Sequence, residues 1–238
     1  VPTFLLSRFT RKHVTVALGG DGGDEIFAGY PMYFGHHMAR AYDRVPRFLR
    51  RGLIEPVVNH LPVKTSNLSF DYRAKRFITA SHYDEVARHH VWFGSFTPSD
   101  QDLLLSEDVR RASEPDIYRD ARRIFAECDS NNLTECMQSL DTQLYLAEDI
   151  LTKVDRASMA VSLEVRAPYL DPRVAEFAAG LPSRYKLHGY TSKYILKRAA
   201  KGLVPAFVWR RGKKGFGVPF AQWLKGELRP LAHDLLSP

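Results

Sequence analysis

The chain has 238 residues, of which 45% are hydrophobic and 26% are charged, a composition typical of a globular protein that can bury one full core. No apolar run approaches the roughly 20 residues of a membrane helix, and the first residues lack the basic region of a signal peptide. The net charge of +7 suits nucleic acid, nucleotide or pyrophosphate ligands alike, so charge does not distinguish among them.

The two cysteines, Cys128 and Cys136, do not indicate a disulfide framework. Disulfides are rare in the reducing environment of the cytosol. We therefore predict a cytoplasmic protein without a disulfide framework.

The first part of the chain predicts one strand among helices. Residues 4–12 favour a short helix, and residues 14–18 form an apolar, β-branched run that predicts a buried strand. Helices follow over 26–44 and 46–60, and each stops before a proline. Because one parallel strand cannot form a sheet, we expect the neighbours of this strand to come from outside the chain.

Two pairs of adjacent histidines, His36 with His37 and His89 with His90, fall in predicted helices. Neighbours on a helix point about 100° apart, so such a pair cannot easily chelate one metal ion. We therefore predict surface histidines rather than a metal site.

The second part of the chain predicts further helices and one extended segment. Thr97 to Asp100 is a typical helix start, with an N-cap, a proline and an acid, and another helix begins at Pro115. Residues 163–168 turn extended, so Glu164 and Arg166 lie on one side of the chain and predict a structural ion pair. The longest periodic stretch carries an apolar stripe, formed by Met137, Leu140, Leu144, Leu151 and Val154.

The most informative stretch is residues 18–30, with the sequence LGGDGGDEIFAGY. It places a glycine turn between the predicted strand and a helix, at the strand end where open α/β sheets bind ligands. One interpretation is a capped turn, with Asp21 as the N-cap and Asp24 as a capping-box acid. The other is a magnesium–phosphate site, in which carboxylates hold a metal that bridges to phosphate. The spacing matches neither a dinucleotide fingerprint nor a Walker A loop.

Lys193 stands at an unusual place for a lysine. Thr191 or Ser192 is expected to cap a helix that ends near Gly202, which puts Lys193 in the first turn. A cation there opposes the helix dipole, at a cost of about 0.3–1 kcal/mol. Either the exposed side chain swings away, or the position concentrates positive potential where an anion binds.

Four stretches of the chain follow one another in the order of a known family. The first, residues 18–30, matches the motif G-[DE]-G-x-D-E-[LIV]-F-x-G-Y. The other three are residues 151–171 (LTKVDRASMAVSLEVRAPYLD), 192–198 (SKYILKR) and 211–223 (RGKKGFGVPFAQW). Only Lys214 departs from the apolar residue expected in the last stretch. With these motifs the chain resembles the asparagine synthetase (glutamine-hydrolysing) family over most of its length.

The resemblance implies an α/β fold of the adenine-nucleotide-hydrolase-like (Rossmann-like) type. Residues 1–238 would be a mostly helical C-terminal portion of the synthetase domain, with few strands. The N-terminal glutaminase domain and the S-G-G-x-D-S pyrophosphate loop of family members do not occur in this sequence. The implied reaction amidates aspartate to asparagine with ATP and Mg²⁺ through β-aspartyl-AMP, using ammonia from glutamine. The chain alone is expected to be inactive.

The resemblance also implies roles for individual residues. Lys193 would stabilise charge at the phosphorus and carbonyl centres, and Asp24 would belong to the magnesium–pyrophosphate site. Asp21, where many members have glutamate, would be a catalytic base or a metal-linked acid. The expected cofactor-binding residues are Gly20, Gly22, Gly23 and Lys213.

Two alternatives stay open. A related AMP-forming amide ligase, of the β-lactam synthetase or peptide-cyclase type, would share the fold and differ in its acceptor pocket. A basic helical nucleic-acid-binding module would use the C-terminal basic stretch and need neither Asp21 nor Asp24. The resemblance favours small-molecule substrates over nucleic acid or membrane partners and leaves a homodimer open for the full-length protein.

Overall fold

The computed structural model describes residues 1–64, 69–94, 96–113, 116–212, 215 and 218–237. Within these ranges the chain is mostly helical and contains one small parallel sheet, an arrangement that fits an α/β fold. The helix start predicted at Pro115 and the predicted cofactor-binding Lys213 lie outside the described residues.

The sheet pairs two strands that are far apart in sequence, β1 (Val16–Leu18) and β2 (Glu164–Arg166). The expectation that every neighbour of the first strand comes from outside the chain is therefore wrong. The prediction of a buried strand is wrong as well, because Val16 is 42% and Leu18 is 75% exposed. In the described ranges β1 pairs only with β2, which leaves its other edge open. The ion pair predicted on β2 is confirmed, with Arg166 Nε 2.7 Å from Glu164 Oε1.

Helices make up most of the first part of the chain. The predicted helix over 26–44 is broken, because Ala28 adopts a left-handed conformation with φ 51° before Pro31 starts a new helix. The predicted helix over 46–60 is a continuous helical stretch in which residues 50–54 are π-helical. The α-helices are α1 (Pro2–Thr10), α2 (Gly23–Ile26), α3 (Pro31–Asp43), α4 (Arg47–Leu49), α5 (Glu55–Asn59), α6 (Phe70–Ser81), α7 (Glu85–Phe93), α8 (Pro98–Leu104) and α9 (Glu107–Ala112).

The second part of the chain continues as helices around β2. A π-helical segment, Thr142–Leu151, joins α11 to α12, and one 3₁₀ turn, Pro168–Leu170, follows β2. The α-helices are α10 (Arg119–Ala126), α11 (Leu133–Asp141), α12 (Thr152–Met159), α13 (Pro172–Ala179), α14 (Ser183–Lys186), α15 (Tyr194–Ala200), α16 (Ala206–Arg210), α17 (Phe220–Lys225) and α18 (Arg229–Leu236). The helix start predicted before α8 is confirmed, since Thr97 and Asp100 form a capping box.

Two apolar clusters lie on either side of the short helix α2. The larger cluster joins α3, α7, α10 and α11 and includes Tyr33, Met137 and Leu140, each fully buried. The smaller cluster packs Ile26 and Phe27 against elements that follow β2, among them α13 and α15. Helix α2 therefore connects the main core to the segments that follow the second strand.

The prediction of surface histidines is wrong for His36 and His89 and in part for His90, which is half-buried, whereas His37 is exposed. His36 is 2% exposed and His89 is fully buried. The Nε2 atom of His36 lies 3.0 Å from His89 Nδ1, and His89 Nε2 lies 2.7 Å from an oxygen of Asp141. The angle between helix neighbours separates the two rings of a pair, but it also turns one ring of each pair toward the core between α3, α7 and α11.

The cysteines also differ from the prediction. Cys128 and Cys136 form a disulfide with Cα atoms 5.5 Å apart, which bridges the end of α10 to α11. The chain reverses direction between these helices and brings the two side chains together, a tertiary effect that the cysteine count does not reveal. The cysteines therefore give no support for a reducing compartment, and the cytoplasmic location stays a prediction.

Histidines that are wholly or partly buried make the free energy of unfolding depend on pH. Burial lowers the pKa of His36 well below its ordinary value and lowers the pKa of His90 to about 4. Below an unfolded-state pKa of about 6.5 the unfolded chain binds protons that these folded histidines do not bind, so the free energy of unfolding falls as the pH decreases. At pH 5.5 we expect a loss of about 1 kcal/mol for each such histidine.

Urea unfolding at pH 7.5 and pH 5.5 measures this loss. The variant His90→Gln should lose about 1 kcal/mol less than the wild type over this interval. The matched control is His13→Gln, because His13 is exposed. Equal pH dependence in the wild type and His90→Gln would contradict the assignment to His90.

Candidate functional site

The glycine turn leaves the carboxyl end of β1 and enters α2. The amide of Gly19 donates a hydrogen bond of 2.7 Å to the carbonyl of Arg166, which extends the parallel pairing by one residue. Gly22 then adopts a left-handed conformation with φ 83° and is the N-cap of α2, with no side-chain capping bond. The interpretation of Asp21 as the N-cap is therefore wrong, because the left-handed residue moves the helix start past it.

The turn brings Asp24 to a lysine that is far from it in the sequence. Lys193 Nζ lies 3.1 Å from Asp24 Oδ1, and the two side chains are 24% and 14% exposed. Lys193 is the N-cap of α15 in a left-handed conformation, with φ 52° and ψ 37°. The expected cap at Thr191 or Ser192 is wrong, and the lysine precedes the first turn of the helix instead of lying in it.

Two glycines make room for this ion pair because they have no side chains. A Cβ atom on Gly29 would overlap Asp24 Oδ1 and Lys193 Cε. A Cβ atom on Gly23 would lie 3.1 Å from the ring of Tyr169 and 3.5 Å from Lys193 Nζ. The lysine side chain therefore lies directly over the backbone of this turn.

The opposite side of α2 is buried and polar. Glu25 is 2% exposed and accepts a hydrogen bond of 2.6 Å from the Tyr30 hydroxyl. Burial raises the pKa of Glu25 and outweighs the opposing effect of that hydrogen bond. Gln138 of α11 donates a hydrogen bond of 2.5 Å to the backbone carbonyl of Glu25.

The sequence analysis gives no role to these three residues, Glu25, Tyr30 and Gln138. The first two belong to the motif over 18–30, where a polar pair among apolar residues could have indicated a buried contact. Gln138 follows the buried Met137 in the predicted stripe, and no sequence pattern points to its partner on α2.

The predicted site residues divide into two groups. Asp24 and Lys193 come together, and Gly23 lies beside them. The side chain of Asp21 turns back toward β1, with its Oδ2 2.8 Å from where a Gly19 Cβ would be. Gly20 is exposed and open, whereas Gly22 is buried and a Cβ there would overlap Leu170. The close approach that requires glycine at position 22 is thus made by the protein itself.

The acids of the turn could hold a magnesium ion only together with ligands from a bound phosphate and from water. Across the described ranges, no three His, Cys, Asp or Glu side chains converge to hold a metal. Asp21 turns back toward β1, so Asp24 is the one carboxylate of this turn that lies beside Lys193 in the described ranges. Magnesium in nucleotide sites uses one or two carboxylates, with phosphate oxygens and water completing the shell. The site therefore fits such an ion when a phosphate ligand supplies the remaining oxygens.

One protein-family model matches the whole chain. The family model described as Asparagine synthase matches residues 1–238. The chain belongs to the asparagine synthase family. The family assignment accounts for the four motifs in order and for the turn that carries Asp24.

Several relatives support the assignment. The chain is 32% identical over its whole length to "Asparagine synthetase [glutamine-hydrolyzing] 1" of Bacillus subtilis and covers 36% of that protein. It is 36% identical over 98% of its length to a "Putative asparagine synthetase [glutamine-hydrolyzing]" of Mycobacterium bovis and covers 34% of it. The chain thus spans about a third of the length of these curated relatives. No solved structure matches the chain.

Among the helices of the described ranges, we find none that combines the length and the apolar character needed to traverse a bilayer.

The packing of Gly29 against the ion pair is testable by substitution. Gly29→Ala should push Lys193 and Asp24 apart and destabilise the chain by about 1–3 kcal/mol, as overpacking does in a closely packed region. The matched control is Gly52→Ala, because a Cβ on Gly52 meets no atom within 4 Å in a helical stretch. Urea unfolding of both variants measures the difference, and equal stabilities would contradict the packing.

Proposed function

We propose that this chain is part of an enzyme that amidates aspartate to asparagine with ATP. The observation that carries the proposal is the Asp24–Lys193 ion pair on the glycine turn after β1, in a chain whose relatives are named asparagine synthetases. A turn at the carboxyl end of a parallel strand is the usual ligand position in open α/β sheets. The adenine-nucleotide-hydrolase-like type of fold is part of the proposal and rests on the family.

The share of each relative that the chain covers supports a partial domain. The chain covers 36% of the Bacillus subtilis relative and 34% of the Mycobacterium bovis relative. We take residues 1–238 as the C-terminal portion of a synthetase domain. Glutamine hydrolysis and the release of ammonia would then belong to another region of the full-length protein.

The proposed reaction has two steps. A side-chain oxygen of aspartate attacks the α-phosphorus of ATP, and the bond to the pyrophosphate oxygen breaks, which gives β-aspartyl-AMP. The nitrogen of ammonia then attacks the activated carbonyl carbon, AMP leaves with the bridging oxygen, and a base accepts the surplus proton. Both steps develop negative charge on oxygen, so they need a fixed cation nearby.

The Lys193 amine is that cation in this proposal. The ion pair with Asp24 holds the amine over the turn, and phosphate oxygens of a bound nucleotide would share its hydrogen bonds. Asp24 is the residue that would hold a magnesium ion, which when bound neutralises charge on the pyrophosphate, with Asp21 as a metal-linked acid. Asp21 alternatively serves as the base for the ammonia proton. The exposed Gly20 would present its backbone amide to phosphate. Gly22 and Gly23 stay predicted cofactor contacts, although both are buried and the Gly23 amide donates to the Gly20 carbonyl.

Other parts of the proposal rest on the family assignment alone. Lys213 as a nucleotide contact, a cytoplasmic location and a homodimer stay predictions. The acceptor pocket decides between aspartate and the acceptors of related AMP-forming ligases, and the printed names of the relatives favour aspartate.

The first test uses the protein expressed at its full genomic length. With aspartate, ATP, magnesium and ammonium it should form AMP and asparagine in equal amounts. Lys193→Ala should lower kcat by about 10²-fold or more, because it removes the fixed cation of both steps. Lys201→Ala is the control, since Lys201 is exposed at the C-terminal end of α15. Absence of AMP and asparagine, or full activity of Lys193→Ala, would refute the corresponding part of the proposal.

The second test uses the 238-residue chain alone. We expect no AMP above the blank with the same substrates, because positioning of the triphosphate supplies much of the barrier reduction and the chain covers about a third of its relatives. Separation of nucleotides by liquid chromatography measures AMP. Turnover by the isolated chain would show that residues 1–238 hold the complete synthetase site.

A further inference from the structure

Gln138 crosses from α11 to the short helix that carries Asp24. Its side chain is 5% exposed, and its Nε2 donates a hydrogen bond of 2.5 Å to the backbone carbonyl of Glu25. Glu25 lies in the last turn of a four-residue helix, where backbone carbonyls lack a donor from the same helix. Gln138 therefore supplies from another helix a hydrogen bond that α2 cannot make for itself.

Helix α11 is itself fixed by a second set of buried contacts. Asp141, one turn after Gln138, is 2% exposed and accepts hydrogen bonds from the Tyr33 hydroxyl at 2.6 Å and from His89 Nε2 at 2.7 Å. These partners belong to α3 and α7 in the main core. The position of α11, which carries Gln138, is thus held by buried polar contacts rather than by solvent-exposed ones.

Helix α2 has little structure of its own to hold Asp24 in place. It contains four residues, and it ends in an irregular turn in which the Gly29 amide bonds to the Asp24 carbonyl at 2.7 Å and Ala28 has φ 51°. The orientation of Asp24 toward Lys193 must therefore be fixed by neighbours. Gln138 provides such a contact from the core side, and Lys193 provides one from the opposite side.

We infer that Gln138 is a positioning residue, which holds α2 through the Glu25 carbonyl so that Asp24 stays aligned with Lys193. The inference rests on the proposed function where it concerns catalysis. A displacement of about 1 Å in a reacting site can cost about 10²-fold in rate. Loss of this single hydrogen bond should therefore lower turnover while leaving recognition of the acceptor unchanged.

The test is Gln138→Leu in the full-length protein, with Gln143→Leu as the matched control. Gln143 lies in the adjoining π-helical segment, is exposed, and bonds only to Ser139 among the described contacts. We expect kcat to fall by about 10- to 100-fold in Gln138→Leu with the KM for aspartate within about twofold. Gln143→Leu should match the wild type. A Gln138→Leu variant with wild-type kcat would overturn the inference.

A second measurement does not require activity. Hydrogen exchange followed by mass spectrometry should show faster exchange over residues 22–29 in Gln138→Leu, with α7 unchanged. If the wild-type protein forms no AMP, the proposed function fails, and this measurement still decides whether Gln138 holds α2. Unchanged exchange over residues 22–29 would overturn the positioning role.

If Gln138→Leu does not fold, the variant Gln138→Glu provides a second test. A glutamic acid donates an O–H to the Glu25 carbonyl when protonated and cannot donate when ionised. Its kcat relative to the wild type should therefore rise as the pH is lowered, which simple loss of packing would not produce. A constant ratio across pH, below the wild type, would overturn the inference.

Discussion

The ion pair between Asp24 and Lys193 is the interaction on which the candidate site depends. It joins the turn after β1 to the start of α15, and it lies over glycines that leave no room for another side chain. Both charged groups are largely removed from solvent, so loss of one leaves the other with a desolvation cost and no partner. The ion pair therefore contributes to the stability of the folded chain only while both partners are present.

The local elements with strong sequence patterns could be predicted. The capping box at Thr97, the ion pair on β2 and the stretch that carries Asp24 all depend on residues close together in the sequence. The resemblance implied roles in one reaction for Lys193 and Asp24, and the two side chains do lie together, although the predicted position of Lys193 within its helix is wrong. The catalytic and metal-binding roles of these residues stay predictions.

Features that depend on packing between distant segments could not be predicted. A histidine pair on a helix gives no indication of which ring faces the core, and His89 is buried because α11 presents Asp141 to it. The disulfide depends on the reversal between α10 and α11. The N-cap of α2 depends on the left-handed backbone at Gly22, which packs against Leu170 from beyond β2.

The register of the small sheet has a consequence for folding kinetics. Val16 pairs with Glu164, so the sheet brings together two segments that are separated in the sequence by helices α2 to α12. Contacts of this kind raise the contact order, and the entropy of closing a long loop opposes them until enough native surface is buried. The helices of the main core can collapse through nearer contacts first. We therefore expect the glycine turn and its lysine to acquire their native arrangement late in folding.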